Sequence, residues 1–181
     1  MLFTVKILLC FILLSVQIEN SRTMNKNELP TVGTVDLNKY AGTWYEIAKF
    51  PNSFERGLKC ITATYSIRPD GKIGVENKGH KESDPGKIKV SNGKAWLPDP
   101  AYPGRLKVQF FWPFTGDYYI LELDQKYQYV LVGDPSRNYL WILCRTRHMD
   151  ASIYERLIAK ANSLGFDTLR IKMTPQDCNP S

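Results

Sequence analysis

Gly42-Thr43-Trp44-Tyr45-Glu46 is the stretch on which the fold turns. It sets a glycine and a tryptophan at the start of an extended segment. A tryptophan in that place needs a prepared apolar site, because its ring is too large to leave in water and its N–H needs a partner. The rest of the chain therefore has to supply a container and something to close it.

Outward from that stretch, a short extended segment followed by a turn recurs eight times, over residues 43–50, 60–68, 73–77, 87–97, 106–111, 118–124, 127–133 and 139–145. Ile61, Ala63, Tyr65 and Ile67 alternate with Thr62, Thr64 and Ser66, the period of a half-buried strand. Asp70-Gly71 is a strong hairpin signal, and Val108 and Phe110 oppose Lys107 and Gln109 further on. Eight antiparallel strands joined by short turns predict an all-β, up-and-down barrel, since closure removes the exposed edges of such a meander. A barrel of that size has an interior that side chains can fill or that can hold one small ligand. One helix breaks the pattern: Ser152-x-x-Glu155 reads as a capping box, Ile153, Leu157, Ile158 and Ala161 share a face, and Gly165 ends it. That C-terminal helix must lay its apolar face on the barrel wall.

The 181 residues, 43% of them apolar, suffice for one well-buried domain. Lys6, the apolar run Ile7–Leu14 and the polar Glu19-Asn20-Ser21 read as an export signal over residues 1–21. The run is too short to span a membrane as a mature helix. A lipoprotein-type leader would attach lipid at Cys10, although Leu8 and Leu9 stand where that signal wants small residues. Residues 22–34 form an N-terminal extension and 35–178 the folded domain. The net charge of +6 survives removal of the leader and is scattered over Lys87, Lys89, Lys94, Arg105 and Lys107, a solvated strand face and not a nucleic-acid stripe. Export permits disulfides. Cys144 lies in the core-like run Leu140–Cys144, which favours a buried thiol. A bridge from the Pro-containing tail at Cys178 to Cys60 would close a loop of more than about 100 residues, worth about 4–5 kcal/mol on chain entropy.

These features resemble the lipocalin family, and within it a bacterial outer-membrane lipoprotein branch. The resemblance runs from about Val35 to Asp177 and is carried by Gly42–Ala48, Phe54-Glu55-Arg56-Gly57-Leu58, Tyr139–Leu143 and Arg145. It assigns structural roles to Gly42 and Trp44, to Asp124 (the one residue of the second family motif kept in Leu123-Asp124-Gln125) and to Arg145, expected across the Trp44 ring at the closed end. The related animal apolipoprotein D branch implies a Cys60–Cys178 disulfide. The resemblance also implies a ligand cup, and a dimer in the bacterial branch.

Taking polar partners as outward, strand alternation gives a lumen of Ala63, Tyr65, Val75, Asn77, Ala95, Val108, Phe110, Tyr119, Leu121 and Trp141, with Glu46 on the parity of Trp44. Tyr65, Tyr119 and Trp141 carry polar handles that a sealed core would have to satisfy, and Ala63 and Ala95 leave room. The expected ligand is a fatty acid or lysophospholipid, bound for upkeep of the cell-envelope membrane at the outer membrane or in the periplasm, with free secretion as the alternative. Two loops at the open end, Phe50–Phe54 and Trp112-Pro113-Phe114, are apolar enough either to touch a membrane or partner or to fold over the mouth. Catalytic spacing is absent: His80 and His148 sit in charged turns, and no metal-ligand, phosphate-loop or Ser/His/Asp pattern appears. No metal or cofactor is expected. The enzyme alternative is an isomerase of a lipophilic substrate working through Cys144 or Glu46, and parity turns Cys144 away from Trp141, toward the helix.

Overall fold

The computed structural model describes residues 28–178, so the leader, Cys10 and residues 22–27 of the extension lie outside the described part. The eight expected strands are present: β1 (Gly42–Lys49), β2 (Leu58–Ile67), β3 (Ile73–Lys81), β4 (Asp84–Trp96), β5 (Arg105–Phe111), β6 (Phe114–Leu123), β7 (Tyr129–Gly133) and β8 (Leu140–Cys144). Each runs antiparallel to the next, and β1 pairs with both β2 and β8, which closes the barrel. A single-turn helix α1 (Leu37–Tyr40) precedes β1. The helix α2 (Ala151–Ser163) and a short strand β9 (Lys172–Met173) follow β8.

The wall separates two apolar clusters. Inside lie Trp44, Tyr65, Ile73, Val75, Ala95, Leu106, Ile120, Val130, Val132 and Leu143. Outside, Ile47, Ala48, Leu121, Leu131, Leu140, Ile142 and Cys144 meet Leu157 and Ala161 of α2. Cys144 is a buried free thiol on that outer side, as alternation required. Residues 28–32 run along the same wall, with Leu29 buried in the outer cluster and the Val32 N–H donating to the Ile120 carbonyl. The helix begins two residues earlier than the capping-box reading placed it: Asp150 is the N-cap and accepts from the Ser152 N–H, so Ser152 lies inside the first turn. Gly165, with φ of +83°, follows its last turn.

Of the register slips along the wall, those in β1 and β6 change which residues face the lumen. In β1 the register against β8 slips between Glu46 and Ala48. Ile47 and Ala48 therefore both face the outer cluster, while Glu46 and Lys49 fall opposite Leu143 and Trp141 on the inner side. In β6 a slip between Ile120 and Glu122 sends Leu121 and Glu122 outward and returns Leu123 inward.

The β1–β2 seam is only half zipped. The strands pair from Gly42↔Tyr65 to Tyr45↔Thr62, and past that point the C-terminal tail enters between them. β9 pairs with Ala48 and Lys49, the Thr174 N–H donates to the Ile47 carbonyl, and the Cys60 N–H donates to the Pro175 carbonyl. The Gln176 amide nitrogen donates to the carbonyls of both Glu46 and Ile61, bridging the gap. The expected Cys60–Cys178 disulfide then fastens the tail to β2.

Candidate ligand-binding site

The closed end is built around Arg145. Its guanidinium lies 3.8 Å from the centroid of the Trp44 ring and donates to the carbonyls of Thr43, Lys39, Tyr40, Ala41 and Tyr127. Trp44 has no solvent exposure, and its N–H donates to the Tyr40 carbonyl at 2.8 Å. Gly42 holds φ of +96°, and a β-carbon there would lie 3.2 Å from an Arg145 nitrogen, so only glycine fits. Asp124 shapes the neighbouring turn by accepting from the N–H groups of Lys126 and Gln128. That turn presents the Tyr127 carbonyl to Arg145 and the Tyr127 hydroxyl to the Asp36 N–H.

Above this floor, three tyrosine hydroxyls form a chain: Tyr118 sits 2.6 Å from Tyr40 and 2.8 Å from Tyr65. Burial pushes all three phenols up, Tyr65 to about 12, so they stay neutral and act as hydrogen-bonding groups. Higher up, against β8, three ionisable side chains cluster. The Lys49 ammonium lies 3.0 Å from the Glu46 carboxylate and 3.1 Å from that of Glu55. Glu46 also accepts from the Thr174 hydroxyl, and Glu55 accepts from the Asn52 amide and the Trp141 indole N–H. Burial, and next the Glu55 charge, raise the Glu46 carboxyl to about 7, against the opposing pull of Lys49 and Thr174.

Of the expected lumen residues, Glu46, Ala63, Tyr65, Val75, Ala95, Val108, Phe110 and Trp141 do face inward. Asn77 shares that face of β3 with Val75, and its side-chain oxygen is buried without a partner among the described residues. Tyr119 and Leu121 do not face inward. Both belong to the outer cluster, and a β-carbon on Gly133 would meet Leu121 and Phe166 there. Tyr118 and Ile120 take the inward places of β6 in their stead. The run Tyr118–Leu123 carries apolar groups on both faces because α2 and residues 28–32 cover its outside, so it offers no alternation to read.

Lys49, Glu55 and Tyr40 escaped the sequence reading. Strict alternation from Trp44 turns Lys49 outward, and only the bulge at Ile47 brings it in. Glu55 sits in a loop, where parity says nothing. The spacing Glu46-x-x-Lys49 was the one available hint.

At the mouth, Tyr139 and Trp141 stack with centroids 5.8 Å apart, and Phe54 leans on both. The β5–β6 hairpin behaves differently: Phe111, Trp112 and Phe114 project into solvent. Among the described residues, the grouping of Cys60, Cys178 and Asp177 has metal-ligand chemistry on paper, but its two sulfurs are consumed by the disulfide.

A closed eight-stranded cup, stoppered at one end by Trp44 and Arg145 and lined by apolar side chains beneath an aromatic mouth, defines a small-molecule binding barrel for hydrophobic ligands. The chain belongs to the lipocalin family: a model of the lipocalin-like domain matches residues 35–176. The outer membrane lipoprotein Blc of Escherichia coli K12 is 46% identical over 136 residues, covering 75% of this chain and 76% of that protein. Apolipoprotein D of Macaca fascicularis is 34% identical over 158 residues, covering 83% of this chain and 82% of its own. Among solved structures, insecticyanin of the tobacco hornworm Manduca sexta superimposes with a TM-score of 0.66 at 21% identity, covering 82% and 84% of the two chains; that likeness speaks to the fold alone.

Proposed function

We propose that the protein is a carrier of single-chain lipids, fatty acids or lysophospholipids, serving upkeep of the cell-envelope membrane. The observation that carries this reading is the lumen itself. An apolar interior of Val75, Ala95, Val108 and Phe110 rises to a polar cluster of Glu46, Lys49 and Glu55 beside Trp141. An acyl chain would lie among the former, with its headgroup toward the mouth. Each buried methylene contributes about 0.8 kcal/mol, so micromolar or tighter binding needs few polar contacts. The likeness to outer membrane lipoproteins supports an exported protein working at the outer membrane or in the periplasm, with free secretion as the alternative.

The enzyme alternative has one supporting observation, the carboxyl of Glu46 held near neutrality inside the cup. Its other candidate, Cys144, lies on the outer wall under α2. Titration with lysophospholipid, followed by Trp141 emission with Trp141→Phe as the blank, tests the carrier reading. A bound fluorescent fatty acid that no lipid displaces would sink it.

A further inference from the structure

The β5–β6 hairpin carries a feature that the lumen does not use. Phe111, Trp112 and Phe114 are 74%, 86% and 77% exposed, side by side at the tip of two paired strands. Scattered single apolar residues on a surface are ordinary, but three large rings on one projecting turn are not. We propose that this tip is a bilayer-docking wedge, which seats the open end of the cup on an anionic membrane surface.

Three observations select a bilayer over a protein partner. The first is shape. The rings stand on a narrow turn, whereas in the other aromatic group of the mouth Phe54 and Tyr139 stack with Trp141 and are only 47% and 41% exposed. A narrow tip offers little area to a protein surface but can enter the headgroup layer, where tryptophan and phenylalanine are favoured. The second is charge. Around the same mouth Arg56, Lys81, Lys87 and Lys89 are exposed and outnumber the exposed carboxylates Glu82 and Asp84. Of the other carboxylates toward this end, Glu55 is buried against Lys49, Asp134 is buried against the backbone of its own turn, and the exposed Asp167 and Asp177 are accompanied by Arg170 and Lys59. The Lys89 ammonium reaches across to the Phe54 carbonyl at 2.7 Å, which places a cation on the rim itself. Anionic headgroups would meet these cations as the rings enter. The third is continuity. Phe110 and Val108, next along β5, face the lumen and are only half-buried. An apolar path therefore runs from the tip into the cup, along which an acyl chain can pass without crossing water. Docking stands on the tip and the rim cations alone, so it can hold even if the lumen reading fails.

The test uses the purified protein and vesicles of phosphatidylcholine, with or without phosphatidylglycerol, whose acyl chains are brominated near the headgroup. The expected result is quenching of an emission component that Trp112→Phe lacks, stronger with phosphatidylglycerol. The triple change Phe111→Ser, Trp112→Ser, Phe114→Ser should weaken vesicle binding by more than about tenfold. It should leave binding of a fluorescent lipid in vesicle-free solution unchanged, which separates this test from that of the carrier reading. Lys87→Glu with Lys89→Glu should abolish the preference for phosphatidylglycerol. Brominated vesicles that quench parent and Trp112→Phe alike would overturn the proposal. So would sedimentation showing that the parent is a dimer that the triple change splits, because the tip would then be a contact between copies.

Discussion

The Thr174 hydroxyl donates to the carboxylate of Glu46, so a residue of the C-terminal tail holds an acidic group of the barrel interior. The tail reaches that position by filling the open half of the β1–β2 seam, and it couples the end of the chain to the chemistry of the cup.

Glu46 gives the fold a specific pH dependence. Its folded-state carboxyl is raised to about 7 from an ordinary value of 4.5. Between those values the folded protein binds more protons than the unfolded chain. The contribution is fully present below about pH 4.5 and is lost as pH rises through about 7. Glu46→Gln removes this loss. The thermal midpoint of the variant minus that of the parent should therefore increase between about pH 5 and about pH 8. A difference that is flat across that interval would show that Glu46 is ionised throughout.

The disulfide closes a sequence separation of 118 residues. Cys178→Ser should lower stability by about 4–5 kcal/mol on the chain-entropy estimate, less where the reduced chain keeps structure. The loss should begin at the seam. Amide exchange should accelerate first at Cys60 and Thr174, whose N–H groups bond across it, while Leu106 and Tyr118 of the β5–β6 pair, on the far side of the barrel, stay protected. Uniform acceleration over all strands would mean that the tail is not a separable element.

Arg145→Lys keeps the charge and loses the fork. A guanidinium donates here to five backbone carbonyls while covering Trp44, and an ammonium cannot span that set. A loss of about 2–4 kcal/mol is expected in urea unfolding, from carbonyls left without donors under a buried ring. The lipid affinity of the still-folded protein should change little, because the group lies below the floor and not in the cup.

The inner face of β6 is tested by a pair of conservative changes. Tyr118→Phe removes the central hydroxyl of the Tyr40–Tyr118–Tyr65 chain and leaves two buried phenols without their shared partner, at about 1–3 kcal/mol. Tyr119→Phe, on the outer wall beside Arg105, should stay within about 0.5 kcal/mol of the parent. Equal losses in the two variants would reverse the assignment of the faces.

That pair also marks where the sequence was legible. The strands could be read because turn residues such as Asp70-Gly71 punctuate them and because β2 and β5 alternate cleanly. The helix could be read from Leu157 and Ala161, and the stopper from Gly42, Trp44 and Arg145. Alternation fails where one strand is buried on both faces, as in Tyr118–Leu123, and where a bulge shifts phase, as at Ile47. The short elements α1 and β9 carry no periodic signal of their own: Asp36 caps the first, and the bridged tail positions the second. The polar cluster needed two such events together, the Ile47 bulge for Lys49 and an inward loop for Glu55.

Asn77 makes the sharpest separation between stability and binding. Its side-chain oxygen is buried on the lumen face without a partner among the described residues, and an amide oxygen left unsatisfied costs about 1–3 kcal/mol relative to a satisfied one. Asn77→Leu keeps the branching of the side chain and removes the amide, so the ligand-free variant should unfold at a higher urea concentration than the parent. If the amide serves the ligand by accepting from a hydroxyl of its headgroup, a lysophospholipid should bind the variant several-fold more weakly, despite the added apolar surface. An alkane-like probe without donors should bind more tightly. Opposite shifts for the two ligands identify Asn77 as a headgroup contact, and parallel tightening of both would reduce it to a defect in the wall.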